Sequence, residues 1–338
     1  MRSILVLTST YPRWHGDTEP AFVHLLNRQL ARGFSITVLA PHYPGARRHE
    51  HMDGIEIYRF RYFFPAGERL AYDGGIITNI RKNRFKLLLA PLFVLSQLIS
   101  TLALCRKHDF SLIHAHGVIP QGVVALLARR LLRSRIPVIA TSHGGDLFSL
   151  QQGLLQSLKR YVFRHADMTT VVSEAMRQQL RAMGCAVDTV SVQSMGVDLQ
   201  DTFVPEPVTT RNRDLVFVGR LVEKKGVGTL IQALQILSQD YPELSLCVVG
   251  DGPDRPALEK LAQSLGVAGR VEFTGPVPNT GVPDYYRSAR IAVVPSIVAA
   301  DGDQEGLGLV AVEALGCGCA TIVSDLPALR DVITDGDN

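Results

Sequence analysis

Residues 295–325 read PSIVAADGDQEGLGLVAVEALGCGCATIVSD, and this segment is the most informative part of the chain. Glu305 and Glu313 lie eight residues apart between two short apolar segments, with glycines at 306 and 308. On one continuous helix, that spacing would turn the second carboxylate ~80° from the first. The glycines instead favour a loop that carries Glu305 and a helix that starts near Gly308 and presents Glu313 from its second turn.

The chemistry of this segment suits a sugar nucleotide. Free backbone N–H groups at a helix start, together with the helix dipole, attract an anion such as a pyrophosphate. Carboxylates accept hydrogen bonds from sugar hydroxyls. The segment therefore predicts a sugar-nucleotide site in a cleft flanked by both carboxylates.

Length and composition predict a globular α/β protein with two domains. The chain has 338 residues, of which 46% are hydrophobic and 20% are charged. A formal net charge of +3 is small for a chain of this size and does not indicate nucleic-acid binding. The five cysteines show no metal-ligand spacing, so no metal site is predicted. Their odd number, mostly within apolar segments, fits buried thiols in a reducing cytosol.

Two apolar segments bear on membranes. The segment that follows Met1-Arg2 is too short for a signal peptide and predicts a buried first strand. Residues 87–104 reach only the lower limit of a membrane span and predict a mostly buried helix.

A basic cluster precedes that helix. It would adsorb to an anionic membrane surface, or it is a solvated loop before a core helix; its members are Arg81, Lys82, Arg84 and Lys86.

Short apolar segments alternate with amphipathic ones along the whole chain, which predicts parallel sheets with helices on both faces. Strands are predicted at 4–7, 36–40, 55–59, 112–115, 138–141, 168–172, 190–193, 215–218, 246–249, 271–273, 291–294 and 321–323. Helices are predicted at 22–32, 85–106, 122–133, 174–183, 227–238, 255–265, 283–288 and 309–315.

The predicted architecture is two Rossmann-like, doubly wound domains. The first spans residues 1–197 and the second spans 214–338, joined by a polar linker at 198–213 that contains two prolines. In such folds ligands bind at the carboxyl ends of the strands, which here means the cleft between the domains.

Two motifs of the second domain follow predicted strands. Gly219-Arg220 and Lys225-Gly226 place two cations where they can converge on one anion, although a solvated loop would contain the same residues. Gly252 follows the next strand, where it either lies against a bound nucleotide or simply allows a tight turn.

Three motifs of the first domain also follow predicted strands. His143, followed by two glycines, can reach a hydroxyl or phosphate, or it is an exposed histidine of a capped turn. His114 and His116 are expected on opposite faces of their strand, which disfavours a metal site built on the pair. In the loop after the first strand, Gly16 could admit a phosphate and the preceding Arg13-Trp14 could contact an acceptor.

The order of these motifs is more specific than any one of them. GRLVEKKG, VVGDGP, FTGPV and the 295–325 segment, preceded by TSTYPRWHGD, IHAHGVIPQG, TSHGGDLF and MGVD, resemble the GT-B glycosyltransferases of family 4. The resemblance covers essentially the whole chain, and its acidic loop looks like that of the bacterial exopolysaccharide, colanic-acid-type transferases.

The resemblance implies retaining, metal-independent transfer from a UDP-, GDP- or ADP-sugar to a saccharide or lipid-linked acceptor, in the cytoplasm or on the inner face of the membrane. Arg220 and Lys225 would hold the diphosphate, Glu305 the donor sugar and Glu313 the ribose diol. His143 would lie near the anomeric centre. Other donor contacts are expected at Gly16, Gly219, Gly252, Gly306, Leu307, Gly308 and Leu309.

The chain departs from the family pattern in three ways. Glu19-Pro20 and Ala320 replace a usual glycine and proline, and the family usually continues beyond residue 338, so the second domain is expected to be incomplete. Two other functions stay open: a sugar-nucleotide 2-epimerase and a non-catalytic sugar-nucleotide binder. A nicotinamide dehydrogenase is disfavoured because no dinucleotide fingerprint follows the first strand.

Overall fold

The computed structural model describes residues 1–148, 153–187, 189–207 and 211–336. The chain divides into two compact units, Met1–Ser194 and Met195–Asn338. Each unit is built on a largely parallel sheet with helices, which confirms the predicted α/β fold class. The predicted linker, 198–213, belongs to the second unit, and its residues 208–210 lie outside the described part of the chain.

The first unit contains an eight-stranded sheet in the order β3-β4-β2-β1-β5-β6-β7-β8 within the described residues. All neighbouring strands are parallel except β3 and β4. The strands are β1 Ser3–Leu7, β2 Ser35–Pro41, β3 His49–Met52, β4 Ile55–Phe60, β5 Leu112–His116, β6 Val138–Ser142, β7 Met168–Val171 and β8 Val190–Val192.

The helices of this unit connect the parallel strands. They are α1 Phe22–Leu30, α2 Ile76–Lys82, α3 Leu89–Lys107, α4 Val123–Leu131, α5 Gly145–Phe148, α6 Gly153–His165 and α7 Glu174–Ala182. Val23 of α1 packs against Val6 and Val38 of adjacent strands, so one face of the sheet is sealed by an aliphatic core. Ser173 is the N-cap of α7, because its hydroxyl accepts a hydrogen bond from the Met176 amide.

The sequence pattern did not indicate β3 or three of the helices, α2, α5 and α6. β3 is a polar edge strand with the sequence HEHM, so it lacks the apolar pattern of a strand. It pairs antiparallel with β4 through Asp53-Gly54, whose φ angles of +52° and +78° are those of a tight hairpin. The Asp-Gly pair was the signal that could have revealed it.

The prediction that the long apolar segment is mostly buried is wrong. It forms a short 3-10 turn, Arg84–Leu88, followed by α3, and only 22% of its most apolar window is buried. Two of the side chains that α3 buries are polar: the Gln97 amide donates to the carbonyl of Thr8, and the Thr101 hydroxyl donates to the carbonyl of Gln97. By length and composition alone, residues 84–107 are apolar enough to cross a membrane.

The exposed side of this helix is apolar. The large exposed side chains of the 3-10 turn are Phe85, Leu87 and Leu88, and those of α3 are Leu92, Leu95 and Ile99. The interpretation of the preceding cations as a loop also needs correction, since Arg81 and Lys82 occupy the last turn of α2.

In the described part of the second unit, five parallel strands form one sheet in the order β11-β10-β9-β12-β13. Its strands are β9 Arg213–Val218, β10 Leu246–Val249, β11 Val271–Gly275, β12 Ala289–Val294 and β13 Ala320–Val323. Its helices are α8 Val227–Leu237, α9 Arg255–Ser264, α10 Val282–Ser288 and α11 Leu309–Gly316. Every element predicted for this half of the chain is present.

Side-chain alternation along β9 builds two cores, one on each face of this sheet. Leu215 and Phe217 pack with α8 and α9, whereas Val216 packs with Tyr286 of α10 and Ala314 of α11. The strand is buried on both faces, and its carboxyl end delivers the next residues to the edge of the sheet where α8 and α11 begin.

One glycine at this edge is irreplaceable on steric grounds. Gly226 has φ +68°, and a Cβ there would lie 1.8 Å from the carbonyl oxygen of Pro295. Gly266 has nearly the same φ, +71°, but its Cβ would meet no atom within 4 Å. We expect Gly226→Ala to lower the free energy of unfolding by more than about 3 kcal/mol, because backbone strain and the clash add.

Gly266→Ala is the matched control. It should cost only about 1–2 kcal/mol, since it carries the left-handed strain alone. Urea denaturation of both variants measures the difference, and equal losses would contradict the close approach of the two loops.

Candidate functional site

In the second unit, two loops meet where the strand order reverses. β9 and β12 are neighbours in the sheet but not in sequence, so the loops that follow them lie side by side. The amide of Ile297 donates to the carbonyl of Lys224 at 2.8 Å, and the amide of Ala300 donates to the Glu223 carboxylate at 3.0 Å. The 219–226 loop and the 295–308 loop therefore form one continuous backbone framework.

Lys225 and Glu305 are brought together across this framework. The Lys225 ammonium donates to Glu305 Oε2 at 2.5 Å, and the two side chains are only 16% and 13% exposed. Burial by itself would raise the pKa of Glu305, but the Lys225 charge and hydrogen bond outweigh it and lower that pKa to about 2. The Glu305 carboxyl is therefore ionised at neutral pH.

Glu313 has the opposite electrostatic setting. It lies on α11, which begins at Leu309 after Gly308 in a left-handed conformation, and Tyr286 donates its hydroxyl to Glu313 Oε2 at 3.3 Å. Burial raises the pKa of Glu313 to about 7, against the weaker opposing effects of Tyr286 and Lys225. Two carboxylates at one helix start thus have widely separated proton affinities.

Glycines let neighbouring loops approach closely. A Cβ on Gly252 would lie 2.2 Å from the carbonyl oxygen of Leu221, and one on Gly250 would lie 2.0 Å from that of Gly219. The loop after β10 therefore packs directly on the loop after β9. Gly252 supports this packing whether or not a ligand also touches it.

The remaining predicted residues of this unit lie around the ion pair. Arg220 is half-buried directly after β9, and a Cβ on Gly219 would contact the Lys225 side chain. Gly306, Leu307 and Gly308 are buried, and the amide of Gly306 donates to Glu305 Oε1 at 3.2 Å.

Sequence reasoning missed two members of this site. The Lys224 ammonium donates to Asp303 at 3.0 Å and to the carbonyl of Gln304, which fixes the acidic loop. Tyr286 reaches Glu313 from α10. Neither partnership has a local sequence signal, because the members are 79 and 27 residues apart.

In the first unit, His143 follows β6 and belongs to a histidine cluster in which His116 is buried and His114 and His143 are half-buried. Its Nε2 lies 2.9 Å from Nδ1 of His116, and the two rings stack at 5.2 Å between centroids. His114 Nε2 lies 2.8 Å from the Thr141 hydroxyl. Burial lowers the pKa of His114 and of His143 to about 4 and lowers the pKa of His116 well below its usual value, so all three imidazoles are neutral.

The expectation that His114 and His116 lie on opposite faces is wrong. Their ring centroids are 4.1 Å apart, because residues two apart on a strand share a face. Across the described residues, no group of three or more His, Cys, Asp or Glu side chains could hold a metal ion.

The loop after β1 carries the other predicted residues of this unit. Gly16 has φ +74° and open space around it. Arg13 is buried, and its guanidinium donates to both carboxylate oxygens of Asp17 at 2.8 and 2.7 Å. Trp14, in contrast, is exposed.

Solved structures with the same fold come from glycosyltransferases of the GT-B class. Sucrose-phosphate synthase from Thermosynechococcus elongatus superposes with a TM-score of 0.74 at 22% identity, over 98% of this chain and 83% of that one. HepE from Anabaena, solved with UDP and glucose, gives a TM-score of 0.71 at 18% identity, over 99% and 84%. These similarities establish the GT-B fold.

The family model Glycosyltransferase Family 4 matches residues 19–201, and Glycosyl transferases group 1 matches residues 200–338. The chain therefore belongs to the family 4 glycosyltransferases, as its motifs indicated, and is a glycosyltransferase.

Two curated relatives show the range of this family. A GDP-mannose-dependent phosphatidylinositol monomannoside mannosyltransferase of Mycolicibacterium smegmatis is 26% identical over 98% of this chain and 83% of its own length. The amylovoran biosynthesis glycosyltransferase AmsK of Erwinia amylovora is 27% identical over 63% and 53%.

The depressed pKa of Glu305 makes stability depend on pH. Its carboxylate stabilises the fold above the unfolded-state value of 4.5, and this contribution is lost as pH falls toward about 2. We expect Glu305→Gln to lower the free energy of unfolding at neutral pH by on the order of 3 kcal/mol. The gap between parent and variant should narrow as the pH falls from 4.5 toward about 2.

Urea titrations across that pH range measure the gap. Asp325→Asn is the matched control, since Asp325 pairs with Arg330 on the open surface and its loss should change little. A pH-independent gap for Glu305→Gln would contradict the ion pair.

Proposed function

We propose that this glycosyltransferase moves a sugar from a nucleoside diphosphate sugar to a saccharide or lipid-linked saccharide, with retention of configuration and without a metal ion, in cell-surface polysaccharide synthesis. The observation that carries the proposal is the Lys225–Glu305 ion pair, held by two glycine-packed loops just before α11. Cation, carboxylate and backbone N–H groups there match a diphosphate joined to a sugar.

The diphosphate is proposed to bind Arg220 and Lys225. An ammonium has three N–H donors, so Lys225 can keep its hydrogen bond to Glu305 while donating to a phosphate oxygen. While Lys225 binds Glu305 Oε2, the other carboxylate oxygen, Oε1, accepts from the amide of Gly306 and is oriented to accept from a sugar hydroxyl as well. Glu313, with a pKa near neutrality, is proposed to bind the ribose diol.

Transfer then needs charge stabilisation rather than a carboxylate nucleophile. The bond between the anomeric carbon and the phosphate oxygen breaks, and its electron pair leaves with the diphosphate, whose growing charge Arg220 and Lys225 stabilise. The acceptor oxygen attacks the cationic anomeric carbon from the same face, and its proton passes to the departing phosphate. Neutral His143 is proposed to contact the transferred sugar.

The names of similar proteins support this class of donor without fixing the base. HepE was solved with UDP-glucose, and the M. smegmatis relative is named as GDP-mannose-dependent. AmsK supports a polysaccharide acceptor because it is named for amylovoran biosynthesis. UDP-, GDP- and ADP-sugars are therefore the donors to test.

A thermal-shift panel of these donors, followed by transfer assays, tests the proposal. We expect Glu305→Ala to keep the fold and lose more than about tenfold in transfer rate, since removing one transition-state contact costs at least that much.

Arg220→Ala should weaken nucleoside diphosphate binding more than monophosphate binding in calorimetry. Lys260→Ala, an exposed cation of the same unit, is the control and should change neither.

The same assays separate the two rival functions. Donor isomerisation without any acceptor would indicate a 2-epimerase, and donor binding without turnover would indicate a non-catalytic binder. Unchanged transfer in Glu305→Ala would remove the site assignment.

We also propose that the protein acts in the cytoplasm, adsorbed to the inner, anionic face of the membrane. The exposed apolar side of α3 adjoins three exposed cations, Arg81, Lys82 and Arg84. Lys86 contributes less, because its ammonium donates to the carbonyl of Arg69 and to Asn79. Each cation near an anionic surface adds about 1 kcal/mol, and the leucines add apolar burial.

Vesicle sedimentation tests this proposal. The double variant Leu88→Ser/Leu92→Ser should lose most binding to phosphatidylglycerol vesicles, because both side chains lie on the exposed face. The control, Ile236→Ser, alters a side chain that is 66% exposed on α8 and should bind as the parent does. Equal binding by all three proteins, or no binding by the parent, would contradict the proposal that this side of the helix binds the membrane.

A further inference from the structure

The loop after β1 presents the single tryptophan of the chain to solvent. Trp14 is 43% exposed, and one face of its indole is covered by the Arg13 guanidinium, whose Cζ lies 4.7 Å from the ring centroid. Tyr43 meets the indole edge-on at 6.4 Å. The exposed fraction therefore belongs to the remaining face and edge of the ring.

This aromatic surface is held rigidly. Arg13 is fixed by Asp17, which accepts two guanidinium hydrogen bonds and one from the Arg13 amide at 2.7 Å. The same guanidinium lies 4.4 Å from the Tyr43 ring and 5.7 Å from the Tyr72 ring. A side chain ordered before binding loses little entropy on binding, so the indole is preorganised for a ligand.

A carboxylate stands at the edge of this surface. Asp73 accepts from the Tyr43 hydroxyl at 3.1 Å and from Arg13 at 3.4 Å, and its amide donates to Glu19 at 2.9 Å. Its side chain is still 51% exposed, so lone pairs remain open to solvent. An apolar ring face and a hydrogen-bond acceptor thus lie side by side.

The charges around the loop disfavour an anion. Arg13 is neutralised by Asp17 and is buried, so it offers no free cation. Asp73 and Glu19 add two carboxyl groups, whereas the cations Arg69 and Lys86 lie near Tyr43 and Asp73, and Lys86 is already hydrogen-bonded to Asn79. A neutral ring that carries C–H groups on its face and hydroxyls on its rim fits these surroundings better than a phosphate does.

We propose that Trp14, Tyr43 and Asp73 form an acceptor subsite that binds one neutral hexopyranose residue, with its C–H face stacked on the indole and a hydroxyl donating to Asp73. This inference rests on the proposed transfer to a saccharide acceptor. Ring faces with axial hydrogens, as in β-glucosides and β-galactosides, stack best, because their C–H groups meet the negative face of the indole.

Intrinsic fluorescence reads the subsite directly, because Trp14 is the only indole. Titration with methyl β-D-glucopyranoside and methyl β-D-galactopyranoside should give a saturable blue shift. Methyl β-D-glucuronide should bind at least fivefold more weakly, since its carboxylate meets Asp73 and Glu19. Glycerol, a polyol without a ring, should give no saturable change.

Variants separate stacking from loop damage. Trp14→Ala should abolish calorimetric binding of the glycosides, whereas Trp14→Phe, which keeps an aromatic face, should retain it within about fivefold. Tyr241→Ala removes an aromatic side chain that is 61% exposed in the other unit and should leave binding unchanged. In transfer assays Trp14→Ala should raise the acceptor KM and leave the donor KM unchanged.

Failure of the subsite and failure of the proposed function have different signatures. If UDP- or GDP-sugars bind but neutral glycosides leave the fluorescence unchanged, the subsite is overturned and donor binding stands. If glycosides shift the emission while no nucleotide sugar binds, the subsite stands and the transfer proposal fails. Equal response to glucoside, glucuronide and glycerol would also overturn the subsite.

Discussion

The contact between the backbone at Gly226 and the carbonyl of Pro295 is the constraint on which the second unit's site depends. Without a Cβ at 226, the loop after β9 lies directly against the loop after β12, and Ile297 donates to Lys224 across the junction. That approach sets Lys225 within 2.5 Å of Glu305. The ion pair therefore has two causes. The strand order brings both loops to one edge of the sheet, and the absence of a side chain at Gly226 lets them touch.

Burial then gives identical functional groups different chemistry. Glu305 and Glu313 belong to one loop and helix, but the ammonium of Lys225 keeps the first ionised while burial raises the pKa of the second to about 7. Burial likewise keeps the clustered imidazoles of the first unit neutral. Arg13 illustrates the converse, since a buried cation fully paired with Asp17 becomes a support for aromatic rings rather than an anion site.

Sequence periodicity identified most elements where burial was one-sided or strands were apolar, although it missed the amphipathic helix α6. It was misleading for an apolar helix and a polar strand. α3 is apolar all round, so its pattern could not tell which face packs, and the structure buries Gln97 and Thr101 while exposing leucines. β3 is polar and pairs at an edge, so it lacked a strand pattern altogether. His114 and His116 share a face because alternation has a period of two.

Local patterns and the order of the motifs were enough to indicate the class of fold, the family, and the residues that follow each strand. Which of those residues meet depends on the tertiary structure. Lys224 with Asp303, Tyr286 with Glu313 and His116 with His143 are joined by strand order and by loops that pack through space. The pKa of each buried carboxyl or imidazole and the exposure of each side chain also depend on the tertiary structure, since both are set by neighbours that lie far away along the chain.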